Sequence, residues 1–259
     1  MHPKATVASV LALHESGLNN CEISRRTGVS RPTIRDWING RLPRSYRGRT
    51  GQDAGCGGCG GNEHRFGQLG SDYVHLLGLY LGDGSIAEHR RRVYRLRITL
   101  DVRYPDIVRE CEEAMQGVVP DNRVGRQLRK CNCYEVHAYS KTWPCLFPQH
   151  GPGKKHLRRI FLADWQRQLA ERWPDQLLKG LIQSDGCRSY STSAGGWTQP
   201  RYAFSNVSTD ITSIFCSACD CLGLRWTASF PKSESAAVSI YVSRKADVAR
   251  LDEFVGPKR

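Results

Sequence analysis

The chain has 259 residues and a formal net charge of +13 at pH 7, from 38 Lys and Arg against 25 Asp and Glu. A hydrophobic fraction of 39% suffices for a packed core, and the absence of any long apolar run excludes a transmembrane helix. The eleven cysteines are an odd number, and no secretory leader is recognisable, which argues against a disulfide framework. We therefore expect a soluble cytoplasmic protein with buried thiols.

The positive charge is concentrated in three stretches. Most of the excess is arginine, whose planar guanidinium matches phosphate oxygens and guanine edges. The stretches contain Arg41, Arg44, Arg47 and Arg49, then Arg90, Arg91, Arg92, Arg95 and Arg97, and then Lys154, Lys155, Arg158 and Arg159. Clustering favours a surface that binds double-stranded DNA over a generally basic, soluble protein.

Residues 1–42 are predicted to form an all-α module of three helices. Apolar residues recur at helical spacing in the first helix. We expect Asn20 to cap the second helix, Gly28 to form the turn, and Ser30 to cap the third. The stretch EISRRTGVSRPTIRDWING, residues 22–40, resembles the helix-turn-helix of bacterial regulators, resolvases and transposases.

In such modules the helix after the turn enters the major groove. Its polar face carries Arg31, Thr33 and Arg35, which are the predicted DNA contacts. The alternative is a three-helix bundle that contacts only proteins. The predicted caps, the turn glycine and the arginine face agree with one another, which favours DNA binding over protein contacts.

Residues 43–69 are predicted to be a basic linker rich in glycine. It contains Cys56 and Cys59, separated by two glycines. Such a turn can hold zinc if two further ligands arrive, and the candidates are Cys131 and Cys133, or His64. Cysteines without a metal are the alternative.

An internal repeat is the strongest pattern in the chain. LLGLYLGDG at residues 76–84 aligns with LKGLIQSDG at residues 178–186, which places Asp83 and Asp185 102 residues apart. PDI at 105–107 aligns with TDI at 209–211, and YSK at 139–141 aligns with VSRK at 242–245. Matched features at near-constant offset indicate a duplication.

Each half is predicted to be an αββαββα unit in an α+β fold. Repeat 1 covers residues 70–147, a connector loop and helix cover 148–173, and repeat 2 covers 174–259. Arginine alternates with apolar residues in YRLRI at 94–98, so one face of an antiparallel sheet can pack inward while the other faces DNA. The predicted DNA contacts here are Arg92, Arg95, Arg97, Lys154 and Lys155.

The two acidic motifs predict a pair of abutting helices. Gly78 and Gly180 are matched small residues that allow two helix backbones to approach closely. Abutting helices would bring Asp83 and Asp185 together, each followed by a glycine suited to a left-handed turn. Two adjacent carboxylates repel unless a cation lies between them, so we predict a Mg²⁺ site.

Over residues 70–255 the two motifs resemble the LAGLIDADG homing endonucleases. Tyr80 and Leu81 replace the family's Ile-Asp pair, and Gln183 stands at the first-Asp position of the second motif. The last acid binds metal in this family, so the resemblance implies that Asp83 and Asp185 are catalytic metal ligands.

The family also uses a lysine near the end of each half's sheet, and Lys141 and Lys245 hold the repeat-equivalent positions. Arg244 is the alternative to Lys245. The resemblance implies a monomeric, pseudo-two-fold, metal-dependent DNA endonuclease, associated with a bacterial nucleoid. The alternative is a transcription regulator that uses the same fold and the helix-turn-helix without cleavage.

Overall fold

Two units make up the computed structural model, Met1–Gly55 and Cys56–Arg259. It describes residues 4–39, 41, 56, 59, 64, 66–192, 195–231, 233 and 236–258. Arg44, Arg47 and Arg49 and most of the predicted linker lie outside the described residues. None of the described helices combines the length and hydrophobicity that a bilayer span requires.

The first unit contains three short helices, α1 (Lys4–Glu15), α2 (Asn20–Thr27) and α3 (Arg31–Ile38). The cap of α2 is Asn19, one residue before the predicted Asn20. The Asn19 side chain accepts hydrogen bonds from the backbone N–H groups of Cys21 and Glu22, and the Glu22 carboxylate accepts the N–H of Asn19. This reciprocal capping box leaves Asn20 as the first helical residue.

The turn between α2 and α3 matches the prediction at Gly28, whose φ of 70° lies in the left-handed region. Ser30 occupies the position before α3, but its hydroxyl lies 2.7 Å from the Thr33 hydroxyl and caps no backbone N–H. The three helices enclose a small core of Val7, Val10, Ile23, Val29, Ile34 and Trp37.

The second unit contains the two predicted halves. The first half consists of α4 (Ser71–Asp83), β1 (Gly84–His89), β2 (Val93–Asp101), α5 (Pro105–Val118), β3 (Val124–Arg129), β4 (Cys133–Ser140) and α6 (Trp143–Leu146). The connector contains α7 (Asp164–Arg172). The second half consists of α8 (Pro174–Asp185), β5 (Gly186–Thr192), β6 (Thr198–Asn206), α9 (Thr209–Cys221), β7 (Thr227–Ser229), β8 (Val238–Val242) and α10 (Lys245–Asp252). The predicted αββαββα order is confirmed in both halves.

The two sheets share one topology. Each is antiparallel and four-stranded, with the orders β1-β2-β4-β3 and β5-β6-β8-β7. The register is also equivalent, because Gly84 pairs with Ile98, and Gly186 pairs with Phe204. The duplication seen in the sequence is therefore preserved residue by residue where the strands leave the two acidic helices.

One core joins the two halves. Alternate residues of the central strands, such as Leu96, Ile98 and Phe204, are buried beneath the sheets, as the period of two along a strand requires. The α4 helix is buried almost throughout, from Tyr73 to Leu81. Because α4 and α8 lie in contact at the centre of this core, their C-terminal ends are fixed relative to each other.

Candidate functional site

Glycine permits the contact between α4 and α8. A Cβ added to Gly78 would lie 2.6 Å from the carbonyl oxygen of Leu177 and 2.9 Å from the Cα of Gly180. A Cβ on Gly180 would lie 2.3 Å from the carbonyl oxygen of His75. No side chain fits between these backbones, so the predicted abutment of the helices is present.

The glycines that follow the two acids have a different role from the predicted left-handed turn. Gly84 has φ −89° and Gly186 has φ −113°, and both begin strands in extended conformation. Glycine is required here by crowding: a Cβ would lie 2.5 Å from the Cα of Tyr80 in the first case and 2.8 Å from the Cα of Ile182 in the second. The chain therefore passes directly from helix to strand and holds each acid at that junction.

The two acids meet at the ends of their helices. A Cβ on Gly82, next to Asp83, would lie 3.0 Å from the Oδ2 of Asp185. Partial loss of solvent around Asp83, together with the neighbouring Asp185 carboxylate, raises the pKa of Asp83 to about 6. Burial also raises the pKa of Asp185, although Asn206 donates a hydrogen bond of 2.7 Å to its Oδ2. Two close carboxylates with raised pKa values form a site that favours a cation.

Two lysines supply positive charge at this site. Lys155 Nζ donates to the carbonyl oxygens of Tyr80 and Gly82, the latter at 2.7 Å. Lys258 Nζ donates to the carbonyl oxygen of Ser184 at 3.2 Å. Gly82 and Ser184 each precede an acid, so the two lysines occupy equivalent positions. Burial lowers the pKa of Lys155 to about 8, although the charges of Asp185 and Asp83 act to raise it. Burial lowers the pKa of Lys258 as well.

The predicted lysines Lys141 and Lys245 are not brought to the acids. Both are exposed. The glycines that follow the acids are level, across the sheet, with Val136 in β4 and Ile240 in β8. Lys141 and Lys245 each lie five residues further along the chain than these two strand residues. Five residues span at most about 17 Å in extended conformation, and both lysines lie past the far ends of β4 and β8. Lys155, predicted to contact DNA, lies beside the acids instead.

The repeat contains a sequence signal for the two lysines that lie beside the acids. GPGKK at residues 151–155 and GPK at residues 256–258 both follow an aromatic residue by a few positions near the end of a half. Lys155 and Lys258 are 103 residues apart, within the offsets of the other matched features. The match is short and gapped, and it lies beyond the last strand of each half.

The donor set fits a hard divalent cation. Two carboxylates, Asp83 and Asp185, lie beside two backbone carbonyl oxygens, those of Gly82 and Ser184, and all four are oxygen donors of the kind that Mg²⁺ and Mn²⁺ prefer. The ammonium groups of the two lysines are bound to the same carbonyls and stand in for such a cation. A cavity of about 300 Å³ opens beside Asp83 and Lys258, which gives a hydrated ion access.

The outer face of the first sheet carries organised arginines. Arg95 and Arg129 both bind the carboxylate of Glu135, the latter at 2.7 Å, and Arg97 lies 3.9 Å from it. Burial opposes the charge on Glu135, but these guanidinium groups outweigh it and hold its pKa below the ordinary value. Glu135 is only 5% exposed, so it orients the arginines from beneath.

The turn between β1 and β2 presents further arginines. Arg91 and Arg92 have φ values of 64° and 55°, a left-handed conformation that costs a non-glycine residue about 1 kcal/mol or more. Both side chains are exposed. The predicted contact residues Arg92, Arg95 and Arg97 therefore lie on one turn and one strand of the first half, with Arg95 and Arg97 on the outer face.

The second sheet presents different chemistry on the equivalent face. Residues that alternate with the buried ones in β5, β6 and β8 are mostly hydroxyl-bearing, and Arg201 is the arginine in register with them. The outward set is Cys187, Ser189, Ser191, Gln199, Arg201, Ala203, Ser205, Ser239 and Tyr241. The sequence prediction of a basic sheet face therefore applies to the first half.

The other predicted contact residues are placed as follows. In α3, Arg31 and Arg35 are exposed and Thr33 is half-buried. Lys154 is exposed beside Lys155. These positions leave the four side chains available to a ligand, and their contact with DNA stays a prediction.

Of the predicted zinc ligands, the structure brings together Cys56, Cys59 and His64, and adds Cys145. Cys131 and Cys133 are not members of this group. Cys133 begins β4, whereas Cys145 lies in α6, which follows the other end of that strand. Of the two alternatives for the remaining ligands, the structure therefore places His64, and not Cys131 or Cys133, with Cys56 and Cys59.

A buried polar relay crosses between the halves next to the site. His75 is 5% exposed, and its Nε2 lies 2.6 Å from the Oε1 of Gln183. Gln183 donates through its Nε2 to Glu110 at 2.7 Å, so its oxygen accepts and His75 Nε2 carries a proton. Burial lowers the pKa of His75, outweighing the hydrogen bond to Gln183.

This relay predicts an acid-sensitive contribution to folding. The pKa of His75 is about 6.5 in the unfolded chain and lower in the folded chain. Below about pH 6.5 the unfolded chain therefore binds a proton at His75 that the folded chain does not bind. The free energy of unfolding then falls with decreasing pH by up to about 1.4 kcal/mol per pH unit. We expect the free energy of unfolding in urea to drop between about pH 7.5 and about pH 5.5, and His75→Asn to remove part of that drop. His89→Asn, at an exposed position, is the control, and an equal effect of both variants would contradict the assignment.

Solved structures with the same fold were found at low sequence identity. A variant of the homing endonuclease I-DmoI, in complex with its target DNA and in the presence of Mn, is 18% identical with a TM-score of 0.50, and the match covers 73% of this chain and 98% of that chain. The N-terminal LAGLIDADG domain of DUF199/WhiA is 12% identical, with a TM-score of 0.44, and 75% and 89% of the two chains are covered.

A third structure, the I-LtrWI LAGLIDADG homing endonuclease bound to target DNA, is 10% identical with a TM-score of 0.45, covering 71% of this chain and 84% of that chain. No protein-family model matches the sequence, and no curated protein matches it. The second unit thus has the double-repeat LAGLIDADG fold, an α+β architecture of two four-stranded antiparallel sheets.

Proposed function

We propose that the protein is a divalent-metal-dependent, sequence-specific DNA endonuclease. The observation that carries the proposal is the meeting of Asp83 and Asp185 at the ends of abutting helices, with Lys155 and Lys258 on the adjoining carbonyls. Paired acids and paired lysines suit the hydrolysis of a phosphodiester, because the reaction develops negative charge on phosphate oxygens. The I-DmoI variant of the same fold was solved in complex with its target DNA.

The two sheets are proposed to hold the DNA on either side of this centre. Arg95, Arg97 and Arg129 are already oriented by Glu135, so little side-chain entropy remains to be lost on binding phosphates or guanine edges. The hydroxyl-rich second sheet would bind with less electrostatic attraction. Because the two faces differ, the two halves of the target are expected to differ in sequence.

At the centre, each residue has a distinct task. Asp83 and Asp185 would hold the metal, which when bound polarises the scissile phosphate and favours ionisation of a water. Lys155 Nζ and Lys258 Nζ lie next to the acids and would donate hydrogen bonds to the phosphate oxygens. Water attack on phosphorus forms one P–O bond as the bond to the leaving sugar oxygen breaks, and lysine ammonium groups stabilise the added charge.

One feature of the site favours a second candidate, a DNA-binding regulator without cleavage. The ammonium groups of Lys155 and Lys258 neutralise the acids and occupy their neighbouring carbonyls, so the fold is electrostatically satisfied without a metal. The helix-turn-helix of the first unit would then supply DNA recognition together with the two sheets. This candidate shares every DNA contact with the first and differs only in chemistry.

A selection in two stages separates the candidates. The full chain is first incubated with a randomised duplex library and Ca²⁺, which occupies oxygen sites with geometry less strict than that of Mg²⁺, and bound DNA is recovered. Mg²⁺ or Mn²⁺ is then added to labelled members of the recovered pool. We expect double-strand cleavage at one position within the selected motif, and none with EDTA.

Each other outcome has a clear meaning. A selected motif that is bound but stays intact with both ions would replace the endonuclease by the regulator. Recovery of a pool without any enriched motif would overturn both candidates, because each requires sequence-specific binding. A salt titration of the affinity supports the arginine contacts if the slope falls when Arg97 is changed to Gln.

A further inference from the structure

Four metal-ligating side chains meet where the second unit begins. The ligand atoms of Cys56, Cys59, His64 and Cys145 all lie within 4.8 Å of one another. The Sγ atoms of Cys56 and Cys145 are 3.5 Å apart, and Cys59 Sγ is 3.3 Å from His64 Nε2. The distance between the Sγ atoms of Cys56 and Cys145 is too long for a disulfide, whose S–S bond is about 2.05 Å. None of the eleven cysteines, all of them described, forms one.

The measured separations match the edges of a tetrahedron around zinc. With Zn–S bonds of about 2.3 Å and Zn–N bonds of about 2.05 Å, a regular tetrahedron has S–S edges of about 3.8 Å and S–N edges of about 3.6 Å. The two distances in the cluster are each within about 0.3 Å of these values. Three thiolates and one imidazole are a common ligand set for structural zinc.

The local sequence also requires something other than hydrophobic packing. Residues 55–64 read GCGGCGGNEH and contain no aliphatic or aromatic side chain apart from the histidine ring. Such a segment cannot bury enough apolar surface to offset the entropy of ordering several glycines. Just beyond it, Phe66 stacks on Trp165 of α7 with ring centroids 4.2 Å apart, which anchors the chain after His64.

We propose that Cys56, Cys59, His64 and Cys145 bind one zinc ion as a structural site. All four positions of the tetrahedron are taken by protein ligands, which leaves no open position for a substrate. The site is independent of the proposed endonuclease centre, whose ligands are oxygens. Thiolate and imidazole ligands bind soft or borderline cations, and in tetrahedral geometry they select Zn²⁺.

The proposed ion links the entry of the chain to a helix that supports the acidic site. Cys145 lies in α6, and the next residue, Leu146, accepts a hydrogen bond of 2.6 Å from the hydroxyl of Tyr73 in α4. The same short helix leads into the loop that ends at Lys155. Zinc would therefore pin the residues from Cys56 to His64 onto the first half and close a loop of 89 residues between Cys56 and Cys145.

Elemental analysis of the purified full chain tests the site. We expect about one zinc per chain, and we expect Cys145→Ser to lose it. Cys131→Ser is the matched control, because it removes an exposed thiol outside the cluster, and it should retain one zinc. A zinc content near zero in the wild type reconstituted with excess Zn²⁺ would overturn the proposal, as would an equal loss from both variants.

Cobalt substitution guards against variants that only misfold. Co²⁺ in place of zinc should give the intense visible bands of a tetrahedral site together with thiolate charge-transfer bands, and His64→Cys, which keeps four ligands, should preserve them with stronger charge transfer. A weak octahedral spectrum would contradict the site. Asp83→Asn should leave both the zinc content and the cobalt spectrum unchanged, which separates failure of this site from failure of the endonuclease proposal.

Discussion

Replacing either Asp83 or Asp185 by asparagine is expected to lower the rate of DNA cleavage at least about a hundredfold, without weakening DNA binding. Asparagine keeps the shape of the side chain and one oxygen donor, but it removes a charge from the pair that holds the cation. A preorganised electrostatic contact of this kind is worth about 3 kcal/mol at the transition state. The measurement is the single-turnover cleavage rate on the selected target with saturating protein, alongside the dissociation constant.

Asp121→Asn is the matched control, because this acid is exposed in the segment between α5 and β3 and has the same charge. We expect its cleavage rate to equal that of the wild type. Binding by the two site variants is expected to be equal or tighter, since each removes a negative charge that faces phosphates. If Asp83→Asn cleaved DNA at the wild-type rate, the paired acids would not hold the catalytic metal, whatever the protein's affinity for DNA.

The fold was largely predictable because two patterns agreed. The nine-residue motif recurs at a fixed offset, and the alternation in YRLRI at 94–98 continues as the inward Leu96 and Ile98 of β2. Both patterns depend on local periodicity, which a single sequence displays directly. The short β7, with three residues, carries too little periodicity to be located in this way.

The errors concern residues whose role depends on tertiary contacts. Asn20 and Asn19 are adjacent and both suited to a cap, and only the position of Glu22 three residues after Asn19 decides between them. Gly84 and Gly186 follow helices, where a left-handed glycine is common. Glycine is required at these positions, however, because a Cβ would overlap Tyr80 or Ile182. A sequence shows that a glycine is present but not which neighbour excludes the Cβ.

The acids of the site could be predicted from the repeated motif, whereas its lysines left only the short and gapped GPGKK and GPK match. Asp83 and Asp185 lie within the repeated motif, whereas Lys155 and Lys258 reach the acids through loops after the last strand of each half. Loop residues are positioned by packing that local pattern does not record. Cys145 was missed for the same reason, since it meets Cys56 across 89 residues of chain.

The contact of α4 with α8 predicts the largest loss of stability. We expect Gly78→Ala and Gly180→Ala each to lower the free energy of unfolding by about 3 kcal/mol. The new methyl groups would lie 2.6 Å and 2.3 Å from backbone carbonyl oxygens of the facing helix, so no rotamer change can relieve the overlap and the helices must separate. This cost overrides the gain of about 1 kcal/mol that alanine brings to a helix interior. Urea denaturation of the purified variants measures it.

Gly67→Ala is the matched control, because a Cβ there meets nothing within 4 Å and the backbone is not left-handed. Its stability should stay within about 0.5 kcal/mol of the wild type. Separation of the helices also moves Asp83 away from Asp185, so at temperatures where Gly78→Ala remains folded, cleavage should fall further than DNA affinity. If both helix variants were as stable as Gly67→Ala and cut DNA normally, close contact of the two backbones would not be what positions the acids.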